Sequence, residues 1–146
     1  KTALMQISTP SECFLFRTCK IGVPQDLAQY LADANYKKVG LSLHDDFKIM
    51  RKFDNCNEPS GFIDLQDIVG DYCINDISLQ KIYAILFGEK IAKGQQLTNW
   101  EAPDLTPAQQ NYGAVDAWAC LKIYNYLKDG LFNPNLSPYK IEEDNE

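Results

Sequence analysis

The sequence predicts an α/β protein: a mixed sheet, made of an antiparallel hairpin plus parallel strands, flanked by helices. Three observations predict it. Two short apolar runs near the start are separated by a turn with proline. Further short apolar strands then alternate with segments of helical period. A long helix with a clear start signal lies near the other end.

Residues 2–8 alternate, with Ala3, Met5 and Ile7 on one face and Thr2, Gln6 and Ser8 on the other. Thr9-Pro10-Ser11-Glu12 reads as a turn and 13–17 as a second strand, so the opening is a β-hairpin. An amphipathic helix is expected over 24–34, a strand over 38–42 and a helix over 45–53. A short strand follows at 62–65, then helices over about 65–73 and 78–87 and a long loop over 88–105. Thr106, Pro107 and Gln109 form a capping-box pattern with proline in the first helical position. That last helix runs to about Lys128, and Gly130 stops it. Residues 131–146, with Pro134, Pro138 and an acidic end, read as an irregular tail.

The 146 residues amount to about one domain, and a hydrophobic share of 45% suffices for a core. No apolar run reaches the length of a membrane span, and no secretory leader is evident. The five cysteines are odd in number and contain no CxxC pair, which argues against zinc ligation and a disulfide framework. Reduced thiols in the cytoplasm are the expectation. A net charge of −6 argues against attachment to nucleic acid through a broad basic surface. It leaves room for an enzyme that grips only a strand end. The chain begins in a strand-like segment without an initiator methionine, which reads as a piece of a longer protein.

On the last helix Tyr112 and Asp116 are four residues apart and share a face. Val115, Ala119, Cys120, Ile123, Tyr126 and Leu127 lie in the same arc, so Asp116 sits within an apolar stripe. A carboxylate there needs a cation, a metal or hydrogen-bond donors. Spacing alone favours the plainer choice, a buried Asp held by backbone or lysine. Asp45 and Asp46 follow the strand ending near Ser42, at the start of a helix. Capping and the helix dipole suffice to explain acids there. Strand ends are also where ligand sites form in α/β sheets, and two carboxylates could share a hard divalent cation.

The segment from Leu97 to Tyr124 carries Asn99-Trp100, Leu105-Thr106, Gln109 and Tyr112-x-x-x-Asp116-Ala117. Together these resemble the DEDD exonuclease superfamily, and more narrowly its tyrosine branch with ribonuclease D and the Werner-type exonuclease domain. The segment from Val39 to Met50 resembles the second motif of that family, and Leu4 to Ser8 the strand that follows its first motif. The resemblance covers about residues 1–129. It implies a ribonuclease H-like fold and a 3′–5′ exonuclease acting on single-stranded 3′ ends of DNA or RNA, with two Mg²⁺ or Mn²⁺ ions. By it Asp116 binds the metal carrying the attacking water, Tyr112 orients that water and Asp45 supports the second metal, with Asp46 next to it in register. His44 is a bystander, and Asp64 is read as structural. Lys48, Arg51, Lys52, Lys90 and Lys93 are candidate phosphate contacts, though solvated lysines are as good a reading. Trp100 reads as loop packing or as a stacking platform for a terminal base.

The family's first motif, Asp-x-Glu on a central strand between those at 2–8 and 38–42, does not occur in this sequence. Residues 1–130 are therefore expected to form a partial exonuclease domain. The alternatives are an inactive exonuclease-like module that binds nucleic acid or protein, and a domain using Asp45 and Asp116 only structurally.

Overall fold

A computed structural model describes residues 3–136. The expected acidic tail beyond 136 and the first two residues lie outside them. The opening hairpin pairs β1 (Met5–Ser8) with β2 (Cys13–Phe16) antiparallel, in the register Met5↔Phe16 to Ser8↔Cys13. Thr9 closes the turn, its amide donating to the Glu12 carbonyl at 2.8 Å while its hydroxyl accepts from the Glu12 amide. The ladder is shorter than the expected 2–8 and 13–17. Beyond Arg17 the chain turns into a one-turn helix, α1 (Thr18–Ile21), which the sequence pattern did not predict.

Helix α2 (Gln25–Ala32) buries Leu27, Ala28 and Leu31, spaced as one helical face requires. Strand β3 (Lys38–Gly40) pairs in parallel with β4 (Phe62–Asp64), so that Gly40 stands opposite Asp64. Between them lies α3 (Leu43–Met50), two residues earlier at its start than the expected 45–53 and ending at Met50. The helix expected over 65–73 is instead two 3₁₀ turns, Leu65–Asp67 and Val69–Tyr72. The Asp64 carboxylate accepts from the Gln66 amide at 3.0 Å, which favours a tight turn over an α-helix.

Helix α4 (Leu79–Phe87) is capped by the Ser78 hydroxyl and ends on Gly88 at φ 69°. Helix α5 (Pro107–Lys128) starts with the full capping box, as the sequence predicts. One core joins α4, α5 and the 3₁₀ turns, around Leu65, Ile82, Ala119 and Ile123, all 0% exposed. A second core holds α2 and α3 against the inner side of the hairpin through Met5, Ile7 and Phe16.

Among the described residues β1 pairs only with β2 and β3 only with β4. Helix α5 packs against β1, β2, β3 and α4 and so carries both strand pairs. Its approach to the hairpin is close. A Cβ on buried Gly113 would come 3.2 Å from Leu4 Cδ2, so only glycine lets the helix seat there undisturbed.

Gln109 is the polar anchor of α5. It is 4% exposed. Its Oε1 accepts from the Thr106 amide, and its Nε2 donates to the Thr98 hydroxyl and the Asn99 carbonyl. Gln109→Ala is expected to lower stability by about 1–2 kcal/mol, because it removes three hydrogen bonds made by a buried side-chain amide to exposed partners. Gln110→Ala, at an exposed site with one bond to the Leu105 carbonyl, should change it by no more than about 0.5 kcal/mol. Urea unfolding of the two variants checks this; equal losses would refute the anchoring role.

Candidate active site

The two strand pairs stand on either side of a cleft of about 710 Å³. Residues 4–8 form one wall and residues 37–41 the other. Successive strand residues point to opposite faces, so a wall made of consecutive residues is a strand edge and not a sheet face. Tyr112, Asp116 and Cys120 of α5 line the cleft, one turn apart on one face, and Asp46, Ile49 and Met50 of α3 line it from another side.

Asp116 Oδ1 is buried and has no hydrogen-bond partner among the described residues. Desolvation pushes its carboxyl up to about 6. The same burial raises the Tyr112 phenol, helped by the neighbouring Asp116 charge. Cys120, one turn further, is pushed up to about 12, mainly by burial and then by the Asp116 and Asp64 charges. It is an inert core thiol, and all five cysteines are free.

Of the acidic doublet at the start of α3, Asp46 lines the cleft and Asp45 does not. Asp46 keeps contact with solvent, yet desolvation, Asp45 and Asp64 all raise its carboxyl. Oxygen donors of this kind suit a hard divalent cation. The described residues contain no group of three or more His, Cys, Asp or Glu able to hold a metal ion. Asp116 and Asp46 line the same cleft and are the carboxylates there that could contribute oxygen donors to such a cation.

The other candidates fall outside the cleft. Arg51 is engaged with Glu58 through both carboxylate oxygens, an exposed pair. Lys48 and Lys93 are exposed and do not line the cleft. The lysines that do are Lys37 and Lys38, which the sequence reading missed. The Lys38 ammonium is committed to the Tyr30 and Asp33 carbonyls at 2.8 Å each. Trp100 packs beside Tyr112, with ring centroids 6.0 Å apart, and its indole N–H donates to the Gln96 carbonyl. Its loop is latched by Arg17, also missed, whose guanidinium donates to the carbonyls of Trp100, Ala102 and Pro103. These bonds run across more than eighty residues, and no local pattern announces them.

Asp116 ties stability to pH. Its folded value, about 6, lies above the ordinary carboxylate value of 3.8. The stability it contributes is therefore fully present below about pH 4 and is lost as pH rises through 6. Asp116→Asn should leave the metal-free protein about 1 kcal/mol more stable at pH 7, after discounting for the carboxyl's partial exposure, and unchanged near pH 4. Urea unfolding at the two pH values tests this, and a variant weaker than the parent at pH 7 would overturn it.

Four likenesses to known proteins bear on the chain. Residues 1–131 match the family model described as 3′–5′ exonuclease. The mouse bifunctional 3′–5′ exonuclease/ATP-dependent helicase WRN is 31% identical over 134 residues, covering 87% of this chain and 9% of that protein. The Aedes aegypti Nibbler EXO domain has the same fold, with a TM-score of 0.76 at 20% identity, over 88% of this chain and 70% of that one. Brucella melitensis NrnC bound to pGG superposes with a TM-score of 0.72 at 18% identity, over 88% of this chain and 66% of that one. The chain spans 9% to 46% of the curated relatives it matches. Among the described residues no helix is long and apolar enough to cross a membrane. With the Tyr112–Asp116 face turned into a cleft between two strand edges, and the match running through both, the chain belongs to the 3′–5′ exonuclease family.

Proposed function

We propose that this protein hydrolyses the phosphodiester bond at the 3′ end of single-stranded DNA or RNA with Mg²⁺ or Mn²⁺. The observation that carries the reading is the buried, unpartnered Asp116 Oδ1 facing a cleft one turn from Tyr112. A buried carboxylate oxygen without a donor costs free energy that a bound cation offsets. When bound, the metal ions supply a polarised water and charge compensation on the phosphate. Asp116 is the carboxylate that holds a cation at the α5 wall. The Tyr112 phenol, kept protonated by its raised pKa, is a hydrogen-bonding group for the attacking water. The start of α3 supplies the second carboxylate, Asp45 by motif register and Asp46 by cleft position. The fold's occurrence with pGG bound supports a short nucleotide end as the occupant. Free thiols fit a reducing compartment such as the cytoplasm.

One observation favours a second reading, an inactive module that binds nucleic acid or protein. The described residues offer no complete metal cluster.

Degradation of a 5′-labelled single strand, with Mn²⁺ and with chelator, separates the readings. Exonuclease action predicts a chelator-sensitive ladder that shortens from the 3′ end. Asp116→Ala should lower the rate at least 10³-fold, on the scale of losing a group that acts in the transition state. Tyr112→Phe should cost about 10²-fold. Of Asp45→Asn and Asp46→Asn, the larger loss identifies the second carboxylate. Strand binding without shortening by the parent protein would select the inactive module.

A further inference from the structure

The start of α3 raises a question its own residues do not answer. Its N-cap, Ser42, sits in the left-handed region at φ 56° and ψ 53°, and its side chain makes no capping bond. A non-glycine residue there is strained unless its surroundings hold it. The first amides of a helix also need acceptors. Both needs are met from across the parallel strand pair. Asp64 Oδ1 accepts from the Ser42 amide at 3.0 Å, and Oδ2 accepts from the Leu43 amide at 2.8 Å. Oδ1 accepts a third bond, from the Gln66 amide at 3.0 Å. The Gln66 side chain then donates to the Ile77 carbonyl at 3.1 Å, beside the Ser78 cap of α4. Gln66, Ile77 and Ser78 all line the cleft.

We propose that Asp64 is a positioning residue of the site: its carboxylate is a remote N-cap that sets the left-handed turn at Ser42 and so fixes where Asp45 and Asp46 stand against the Asp116 wall. The inference rests on the exonuclease reading for what those acids do, though not for how they are held. Asp64 does not itself line the cleft, and both its oxygens accept backbone bonds. The parallel register makes the reach possible, because Gly40 is the partner of Asp64 and Ser42 lies two residues on. A helix N-terminus capped by its own serine would tolerate small rotations. One capped by a two-oxygen carboxylate on the neighbouring strand is tied to the sheet.

The test measures amide hydrogen exchange at residues 42–46 and Mn²⁺ binding by the loss of the free-ion paramagnetic signal. The proteins are the parent, Asp64→Ala, Asp64→Asn and a core control, Ile82→Val. Asp64→Ala should speed exchange at Ser42 and Leu43 at least tenfold and weaken Mn²⁺ binding about tenfold, as loss of an outer-shell partner does. Asp64→Asn keeps one acceptor and should fall between parent and alanine. Adding Ser42→Gly to Asp64→Asn should recover part of the affinity, because glycine holds the left-handed turn without help. Ile82→Val should change neither reading. Unchanged exchange at Ser42 and Leu43, or Mn²⁺ affinity within twofold of the parent in a folded Asp64→Ala protein, would overturn the proposal. So would an equal loss of affinity in the core control. Should Asp64→Ala not fold, the same two readings on Asp64→Asn decide it. If the parent binds no Mn²⁺, the exonuclease reading fails and exchange alone decides: acceleration confined to 42–46 supports the remote cap, and its absence refutes it.

Discussion

The structure depends on how α5 supports two strand pairs that share no ladder. Each pair is two strands wide, which in water is marginal by itself. Helix α5 packs against β1, β2, β3 and α4, and its buried residues Ala119, Cys120, Ile123 and Leu127 belong to the main core. The hairpin is held through the contact at Gly113, where any side chain would crowd Leu4. The cleft is then a consequence of packing: α5 is long enough to underlie both pairs, and the strand edges face each other above it. The residues on that stretch of helix, Tyr112 and Asp116, become the cleft floor whatever their chemistry.

Much of this was legible in the sequence because period and punctuation are local. The alternation over 2–8 and the Thr9–Glu12 turn predict the hairpin, and Thr106, Pro107 and Gln109 predict the start of α5 to the residue. The failures are equally physical. The segment 65–73 reads as a helix, but it holds Gly70 and several weak helix formers, Asp64 draws the Gln66 amide into a tight turn and Cys73 ends the second turn at φ 61°. Helix α1 is a single turn, too short for any period to register. Helix α3 starts at Leu43 and not at the acids, because its cap is supplied from β4 and not by the doublet beside it.

The candidate site divides the same way. Tyr112 and Asp116 share a face by helical geometry alone, and the structure turns that face into the cleft. Which of Asp45 and Asp46 lines the cleft depends on where α3 begins, and Asp64 on the neighbouring strand accepts from the amides at that start. Arg17 and Asp64 hold the site's surroundings through bonds to backbone carbonyls or amides far along the chain. Backbone partners are the same for every residue type, so the chain carries no compositional trace of them. The expected phosphate contacts were read from charge alone, and charge does not distinguish a lysine on a cleft wall from Arg51, which is spent on Glu58.

A net charge of −6 would repel a polyanion over most of the surface. That repulsion has a use if the substrate is a strand end admitted one phosphate at a time. Burial keeps part of the Asp116 population neutral near pH 6, which limits self-repulsion in the metal-free cleft. A divalent cation held by Asp116 would reverse the balance, because it would favour the ionised carboxylate and supply positive charge for a phosphate. Affinity for nucleic acid would then reside in the cation-loaded cleft and not in a basic face. The strand interior would find little to hold it, and the terminus would find a site. On the proposed function, selectivity for ends would follow from where positive charge can be assembled, and the buried oxygen of Asp116 is where that assembly would begin.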